Sequence, residues 1–476
     1  MQQTRKTKLR FGTLLSYGIG AVGEGIGYNV FFSFFSFFLT TQAGIKPGIA
    51  GVISALAVLW DAITDPIIGN WSDRTKNKRG RRRPFIMSGS VLFGISIALL
   101  FVNLNRPYGM KVAYYILVNM FYWFSLTTCV IPHISLGSEL SEDFDERTKL
   151  RTFAVALMGI GTLIAVGTPL LLVEFFTNVT GSSNAAWALS GVIYGALTVI
   201  VYELSCFLLR GKEPQNPNLT EEGAEKSSSS TMSTFFKNSV HAFQNRSLRK
   251  LIWITFFVNI TVTLASGLAI YLLTFVYRFD ENQSSLVYAL QGILVIVASV
   301  LVGFLANQFD KKIVMAGGVA VYAVSYIFII LLPISWATII VHVVLFAIGN
   351  AGYWTMVYAM SYDASMIEHL KSGDRPDGLY TSLIGLFMKF GNAAGSLVTG
   401  LGLQMIGFIE SSETQSAATV TGIRWLYAIV PAVFLAFVVI YSVAYPLTRK
   451  RFADLTAANK EKEETGSYDP SVLEGL

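Results

Sequence analysis

The chain alternates long apolar runs with short polar turns. The runs predict twelve helical spans, six near residues 11–40, 47–72, 84–104, 108–137, 151–177 and 184–210. The other six lie near 248–278, 284–308, 313–333, 336–365, 377–408 and 422–447. A helix needs roughly 20 apolar residues to cross a bilayer, and the runs meet that length. Strands of a membrane barrel would alternate over ~10-residue segments instead, a pattern this chain lacks. The predicted class is an all-α polytopic membrane protein with twelve transmembrane helices. The opening MQQTRKTKLR enters the first run with no small-residue cleavage site behind a short apolar core. No removable signal peptide is therefore expected.

Between the sixth and seventh runs lies GKEPQNPNLTEEGAEKSSSSTMSTFFKNSVHAFQNRS, residues 211–247. Its Pro, Ser, Glu and Lys content predicts a mobile cytoplasmic linker. The expected organisation is an N-terminal six-helix bundle (1–210), this linker (211–247), a second six-helix bundle (248–448) and a charged, disordered cytoplasmic tail (449–476). The loops SDRTKNKRGRRRPFIMSGS and NQFDKKIVMAGG occupy corresponding positions in the two halves. Each runs from Asp through basic residues to an apolar stretch with Met and Gly. Repeated halves around a central site are the plan of major-facilitator transporters.

Composition agrees with that reading. Hydrophobic residues make up 53% of the 476 positions and charged residues 14%, with a mean hydropathy of +0.53. Soluble domains average about 25% charged residues. Most Lys and Arg fall at the N-terminus, in the even-to-odd loops and in the tail, most densely in SDRTKNKRGRRRP at 72–84. The opposite loops carry only Lys46, Arg106, Lys111, Arg278 and Arg424. Positive loops stay cytoplasmic, so a multi-pass cell-membrane protein with both termini inside is expected. The net charge of +6 then reflects topology rather than nucleic-acid binding. Cys129 and Cys206 lie in apolar spans and form no disulfide framework or metal spacing. The triplet Asn178-Val179-Thr180 matters only in a host that glycosylates.

Against this apolar background a few charges stand out. In WDAITDP (60–66), Asp61 and Asp65 are four residues apart and share a helix face, with Thr64 beside them. Charges inside spans cost at least a few kcal/mol and mark ion or proton paths. Two carboxylates plus a hydroxyl suit a small hard cation, by oxygen-ligand logic. Repulsion and burial could equally hold a proton on one of them. A structural ion pair near the cytoplasmic surface is the plainer alternative. Lys389 lies mid-span in GLFMKFGNAAG and needs a partner. Glu24 sits as deep in GAVGEGIG, among glycines at 18, 20, 23, 25 and 27 that favour close helix contact. A functional role and a packing role both fit it. His133, after Pro132, could shuttle protons or serve as a hydrogen-bonded structural residue.

Four segments extend this pattern: LSYGIGAVGEGIGYN at 15–29, WDAITDPIIGNWSDRTKNKRGRRRPFI at 60–86, IPHISLGSELSEDFDERTKLR at 131–151, and YDASMIEHLKSGDRPDGLYTSLIGLFMKFGNAAG at 362–395. In order and spacing they resemble the glycoside–pentoside–hexuronide:cation symporter family, to which the melibiose permease belongs. The resemblance implies two six-helix pseudo-repeat bundles of the major facilitator fold. It also implies a coupling cation, Na+, H+ or Li+, bound by Asp61 and Asp65. Thr64, where the melibiose permease has asparagine, and Thr127 of the fourth span would assist, and Lys389 matches the family's lysine near the cation site.

The sugar-binding side chains do not carry over. At the positions that hold the galactoside in the melibiose permease, this chain has Gly25, Val130, Ile134 and Val155. Valine offers no hydrogen bond to a sugar hydroxyl. The substrate is then another glycoside gripped by Tyr28, Asn29, His133, Asn350 and Trp354, or a more amphipathic solute. Phe31, Phe32, Phe34, Phe35, Phe37 and Phe38 could serve such a solute; lipid contact and helix packing are the plainer use of that stripe.

The function expected is cation-coupled symport of a glycoside or other sugar-like solute by alternating access, in a chain sufficient as a monomer. Asp73, Arg74, Arg81, Arg82, Glu139, Arg147 and Arg151 would form the ion pairs of a cytoplasmic gate. A sodium-dependent lysolipid carrier and a non-transporting receptor or scaffold are the alternatives. No Cys/His cluster, nucleophile elbow or phosphate loop points to an enzyme or a cofactor.

Overall fold

The computed structural model describes residues 9–75, 80–141, 144–212, 239–373, 376–465 and 467–475, without the side chains of Asp73, Arg74, Ser138, Phe144, Asp145, Arg147, Thr148, Asn307 and Ser372. Among the described residues every regular element is helical. The first half runs α1 (Phe11–Val30), α2 (Ser36–Thr41), α3 (Pro47–Arg74), α4 (Arg83–Leu100), α5 (Tyr108–Glu139), α6 (Phe144–Gly167), α7 (Pro169–Thr180) and α8 (Ser183–Leu208). The second runs α9 (Arg246–Tyr271), α10 (Glu281–Gln308), α11 (Lys311–Leu331), α12 (Trp336–Ser372), α13 (Asp377–Met405), α14 (Ala417–Val443) and α15 (Arg449–Thr465). Among the described residues eleven helical runs are long and apolar enough to cross a membrane. With α13, 29 residues long, the spans number twelve, as the apolar pattern predicts.

Local chemistry sets the boundaries. Pro47 and Pro169 open α3 and α7, where a missing N–H costs nothing. Ser182 and Ser335 accept hydrogen bonds from the amides of Ala185 and Thr338, at 3.4 and 3.3 Å. Gly373, at φ 84°, ends α12 by returning its amide to the His369 carbonyl at 2.8 Å. Two expectations are corrected. The fifth span, expected as one helix over 151–177, breaks at Thr168 because Pro169 cannot continue the ladder of α6. The tail, expected to be disordered, forms α15. Leu455 and Ala458 bury an apolar edge of that helix, and Lys462 donates to the Leu370 carbonyl at the end of α12 at 2.5 Å. Much of the linker, residues 213–238, lies outside the described residues. Its end is ordered: Asn245 caps α9 through the Leu248 amide (3.0 Å) and donates to the Ala364 carbonyl (3.2 Å).

The contacts divide the chain into two compact units. One comprises residues 1–228, 266–292 and 397–419; the other comprises 229–265, 293–396 and 420–476. In the first, α1 packs on α6 and α8, α4 on α5 and α8, and α3 on α5. The crossing of α1 and α6 is almost backbone to backbone. A Cβ on Gly25 would lie 2.3 Å from the Met158 carbonyl oxygen, and one on Gly161 would lie 2.1 Å from that of Val22. Only glycine permits this approach.

Beyond α1 the chain passes through a π-helical turn, Phe31–Phe35, and α9 is followed by another, Leu272–Val276. The phenylalanine stripe is interior: Phe31, Phe34, Phe35, Phe37 and Phe38 are buried. Phe31 stacks on Tyr122 at 5.2 Å, and Phe38 lies against Trp187 at 5.7 Å. Tyr271 donates to the Ser36 carbonyl at 3.0 Å and shares a 2.6 Å hydrogen bond with Thr40. In the second unit Arg424 caps the end of α11, donating to Ile329 and Leu332 carbonyls at 2.7 and 2.6 Å.

Replacing Gly161 by leucine should force α1 and α6 apart. Overpacking of this kind costs roughly 1–3 kcal/mol or more, so the melting temperature in detergent should fall by several degrees. An unchanged melting temperature would show that the crossing tolerates side chains.

Candidate functional site

The carboxylate pair is built by the pairing of α3 and α5. Two cross-links share one sequence offset: the Asn119 amide donates to the Ile53 carbonyl at 3.0 Å, and the Thr127 hydroxyl donates to Asp61 Oδ1 at 2.5 Å, both 66 residues apart. A constant offset over eight residues means parallel helices in fixed register. That register brings Thr127 to Asp61 although nothing in either segment alone requires it. The Thr127 hydroxyl also reaches Asp65 Oδ1 at 3.1 Å, so one side chain lies on both carboxylates. Asp61 and Thr127 are each 1% exposed. Thr64 is buried too and donates to the Asp61 backbone carbonyl at 3.2 Å. Pro66 has no N–H, so the Ala62 carbonyl one turn back loses its helical donor. The result is a set of oxygen atoms with two formal charges, suited to a small monovalent cation rather than to a soft metal. Among the described residues no three His, Cys, Asp or Glu side chains gather as a metal cluster.

Other expected residues divide by role. Asn29 donates to Gly25 O (2.9 Å) and Thr162 Oγ1 (3.0 Å), and so ties α1 to α6. His133 is buried, with Nε2 3.1 Å from the Tyr17 carbonyl and its ring stacked on Tyr17 at 4.4 Å. Tyr28 lies edge-on to Trp123 at 5.8 Å. Glu24 is 7% exposed. In the second unit Lys389 is half-buried, Asn350 hydrogen-bonds Tyr322, and Trp354 packs edge-on against Tyr353 at 5.2 Å. At Gly25 the close crossing excludes any side chain, so no sugar ligand can stand there. Val130 is buried, while Ile134 and Val155 are exposed apolar positions.

Of the expected gate residues, the side chains of Asp73, Arg74 and Arg147 lie outside the described residues. Glu139 at the end of α5 pairs with Arg81 (2.8 Å) and Arg82 (2.9 Å), and Arg82 also donates to Ser72 Oγ at 2.6 Å. These bonds join the ends of α3, α4 and α5 within one unit. Arg151, exposed, hydrogen-bonds Tyr17. The second half repeats the device: Lys311 at the start of α11 pairs with Asp363 of α12 at 2.7 Å. Ser72 and this Lys311–Asp363 pair were missed in the sequence. The signal was present, since FDKK follows the eighth span as SDRTK follows the second.

Twelve spanning helices, charged loop clamps in both halves and a carboxylate pair set between two of the helices define a membrane transporter. A family model described as MFS/sugar transport protein matches residues 16–449. The chain therefore belongs to the glycoside–pentoside–hexuronide:cation symporters of the major facilitator superfamily. It is 24% identical to the candidate glycoside/cation symporter YagG of Escherichia coli, over 94% of each chain. It is 23% identical to the isoprimeverose transporter of Lactiplantibacillus pentosus, over 94% of this chain and 92% of that one. Among solved structures it resembles the xylose transporter XylE from E. coli with a TM-score of 0.64 and 14% identity, covering 94% of this chain and 99% of that one. That likeness shows the fold, two six-helix bundles.

Replacing Glu139 by glutamine removes the carboxylate that Arg81 and the buried Arg82 both reach. Loss of one partner of a buried pair costs about 3–5 kcal/mol, whereas Glu464→Gln in the exposed Lys460–Glu464 pair should change stability by less than about 0.5 kcal/mol. Thermal melts of both variants check the contrast; equal shifts would place Glu139 outside the folded clamp.

Proposed function

We propose that this chain is a cation-coupled symporter of a glycoside or similar sugar-like solute, working by alternating access in the cell membrane with both termini cytoplasmic. The observation that carries the reading is the Thr127 hydroxyl lying on both Asp61 and Asp65 deep between α3 and α5. Two neighbouring carboxylates repel each other, and a shared positive charge offsets that repulsion. A bound Na+, or Li+ or a proton in its place, supplies it, and Thr64 and the Ala62 carbonyl are further oxygens at hand. The names of the relatives support a glycoside as cargo. The substrate is held differently from a galactoside in the melibiose permease, because Gly25 admits no side chain. Lys389 would sense the state of the cation site, and residues 1–210 and 248–448 would act as the two bundles, joined by 211–247. The Arg81–Arg82–Glu139 and Lys311–Asp363 clamps would stiffen the cytoplasmic ends of each.

A ligand that binds only the folded state raises the melting temperature with the logarithm of its concentration. Titration with NaCl against choline chloride should give a sodium-specific rise that Asp65→Asn abolishes. Thr127→Val should weaken sodium binding about tenfold, the value of one hydrogen bond to a charged group. A rise that survives in Asp65→Asn would move the cation elsewhere. With no sodium-specific rise, uptake into proteoliposomes under a pH gradient would decide for proton coupling.

A further inference from the structure

The aspartate pair leaves another carboxylate of the first unit, buried within α1, without a task. Glu24 has an oxygen, Oε2, with no hydrogen-bond partner among the described residues. The same holds for two polar groups near it, the Tyr202 hydroxyl and His133 Nδ1. The Tyr202 ring stands edge-on to His133 at 5.9 Å, and His133 is stacked on Tyr17. Glu24 acts electrostatically on Tyr17, Tyr202 and Tyr28. Buried polar groups are satisfied in nearly all folded proteins, so three unsatisfied ones in one place call for a reason.

The backbone of α1 makes room for this cluster. A Cβ on Gly20 would lie 2.6 Å from His133 Nε2, and one on Gly23 would lie 2.6 Å from the Tyr202 ring. The charged and titratable groups facing Glu24 come from four further helices. Arg151 of α6 lies within electrostatic reach of it and hydrogen-bonds Tyr17. His133 comes from α5 and Tyr202 from α8, while the adjacent Glu203 is engaged by Ser90 at 2.8 Å. Asp61 and Asp65 of α3 reach the cluster through Tyr28, on which all three carboxylates act. A lone carboxylate at such depth is costly, and a proton removes its charge.

We propose that Glu24 is a proton-binding site in its own right, separate from the Asp61/Asp65 pair, through which pH tunes the affinity of that pair for its cation. A proton from solvent adds to a Glu24 carboxylate oxygen and leaves by the same O–H bond; no other covalent bond changes. Arg151, exposed and bonded to Tyr17, connects the cluster to the exterior. The regulatory half rests on the cation reading: neutralising Glu24 removes a negative charge beside Tyr28 and lowers the attraction for a cation at the pair.

Infrared spectra of the purified full chain, titrated upward from neutral pH where ordinary carboxylates are already ionised, test the site. A neutral carboxylic-acid carbonyl band should fade as pH rises, be missing in Glu24→Gln and persist in Asp65→Asn. In Arg151→Gln its midpoint should move to higher pH, since the cation favouring the ionised form is gone. A wild-type spectrum without the band, full intensity in Glu24→Gln, loss in Asp65→Asn alone, or an unmoved midpoint in Arg151→Gln would each overturn the proposal. Sodium-dependent melting of the same samples separates the two ideas. If wild type shows no sodium response, the cation reading fails while the band still decides for or against Glu24.

Discussion

The structure depends on keeping charge inside a fold built for lipid. Asp61 and Asp65 sit where α3 and α5 lie in fixed register, with Thr127 across both carboxylates. A slip of one residue would turn the hydroxyl away and leave both carboxylates with a donor fewer. The Asn119–Ile53 bond two turns away holds the same register. Packing and the geometry of the carboxylates are therefore one constraint: the contact that positions the helices also places the oxygens.

A second constraint shapes what the carrier can grip. Where α1 crosses α6, Gly25 and Gly161 bring backbones together and remove any place for a side chain. The position that bears an acidic sugar ligand in the melibiose permease is here a helix contact, and Asn29 reinforces it through Thr162. The phenylalanines that follow fill the bundle interior with Tyr122, Trp123 and Trp187. Their burial favours packing over contact with lipid or with an amphipathic cargo. The same glycine-rich face that closes the crossing also admits His133 and Tyr202 beside Glu24.

Much of the fold was legible because hydrophobicity is a local signal. Twelve apolar runs gave twelve spans, and Pro169 marked a break that a running average of apolarity passes over. The tail was misread for a similar reason: α15 is charged on average, but Leu455 and Ala458 are apolar at a helical spacing that matters only once α12 is there to cover them. The clamp residues were legible as charges. Their pairing within one unit, Arg81 and Arg82 with Glu139, was not, because a basic loop does not announce its acceptor.

By itself the sequence determined the number of membrane spans, the membrane as solvent, and a helix face carrying two carboxylates, since each follows from spacing along one segment. Tertiary structure alone decided that Thr127 meets both aspartates, that Gly25 is a backbone contact, that the phenylalanine stripe is interior, and that Glu24 shares its surroundings with His133, Tyr202 and Arg151. Those outcomes depend on which helices pack and in what register. Register is set by side chains distant in sequence acting together, so no single stretch of the chain contains it.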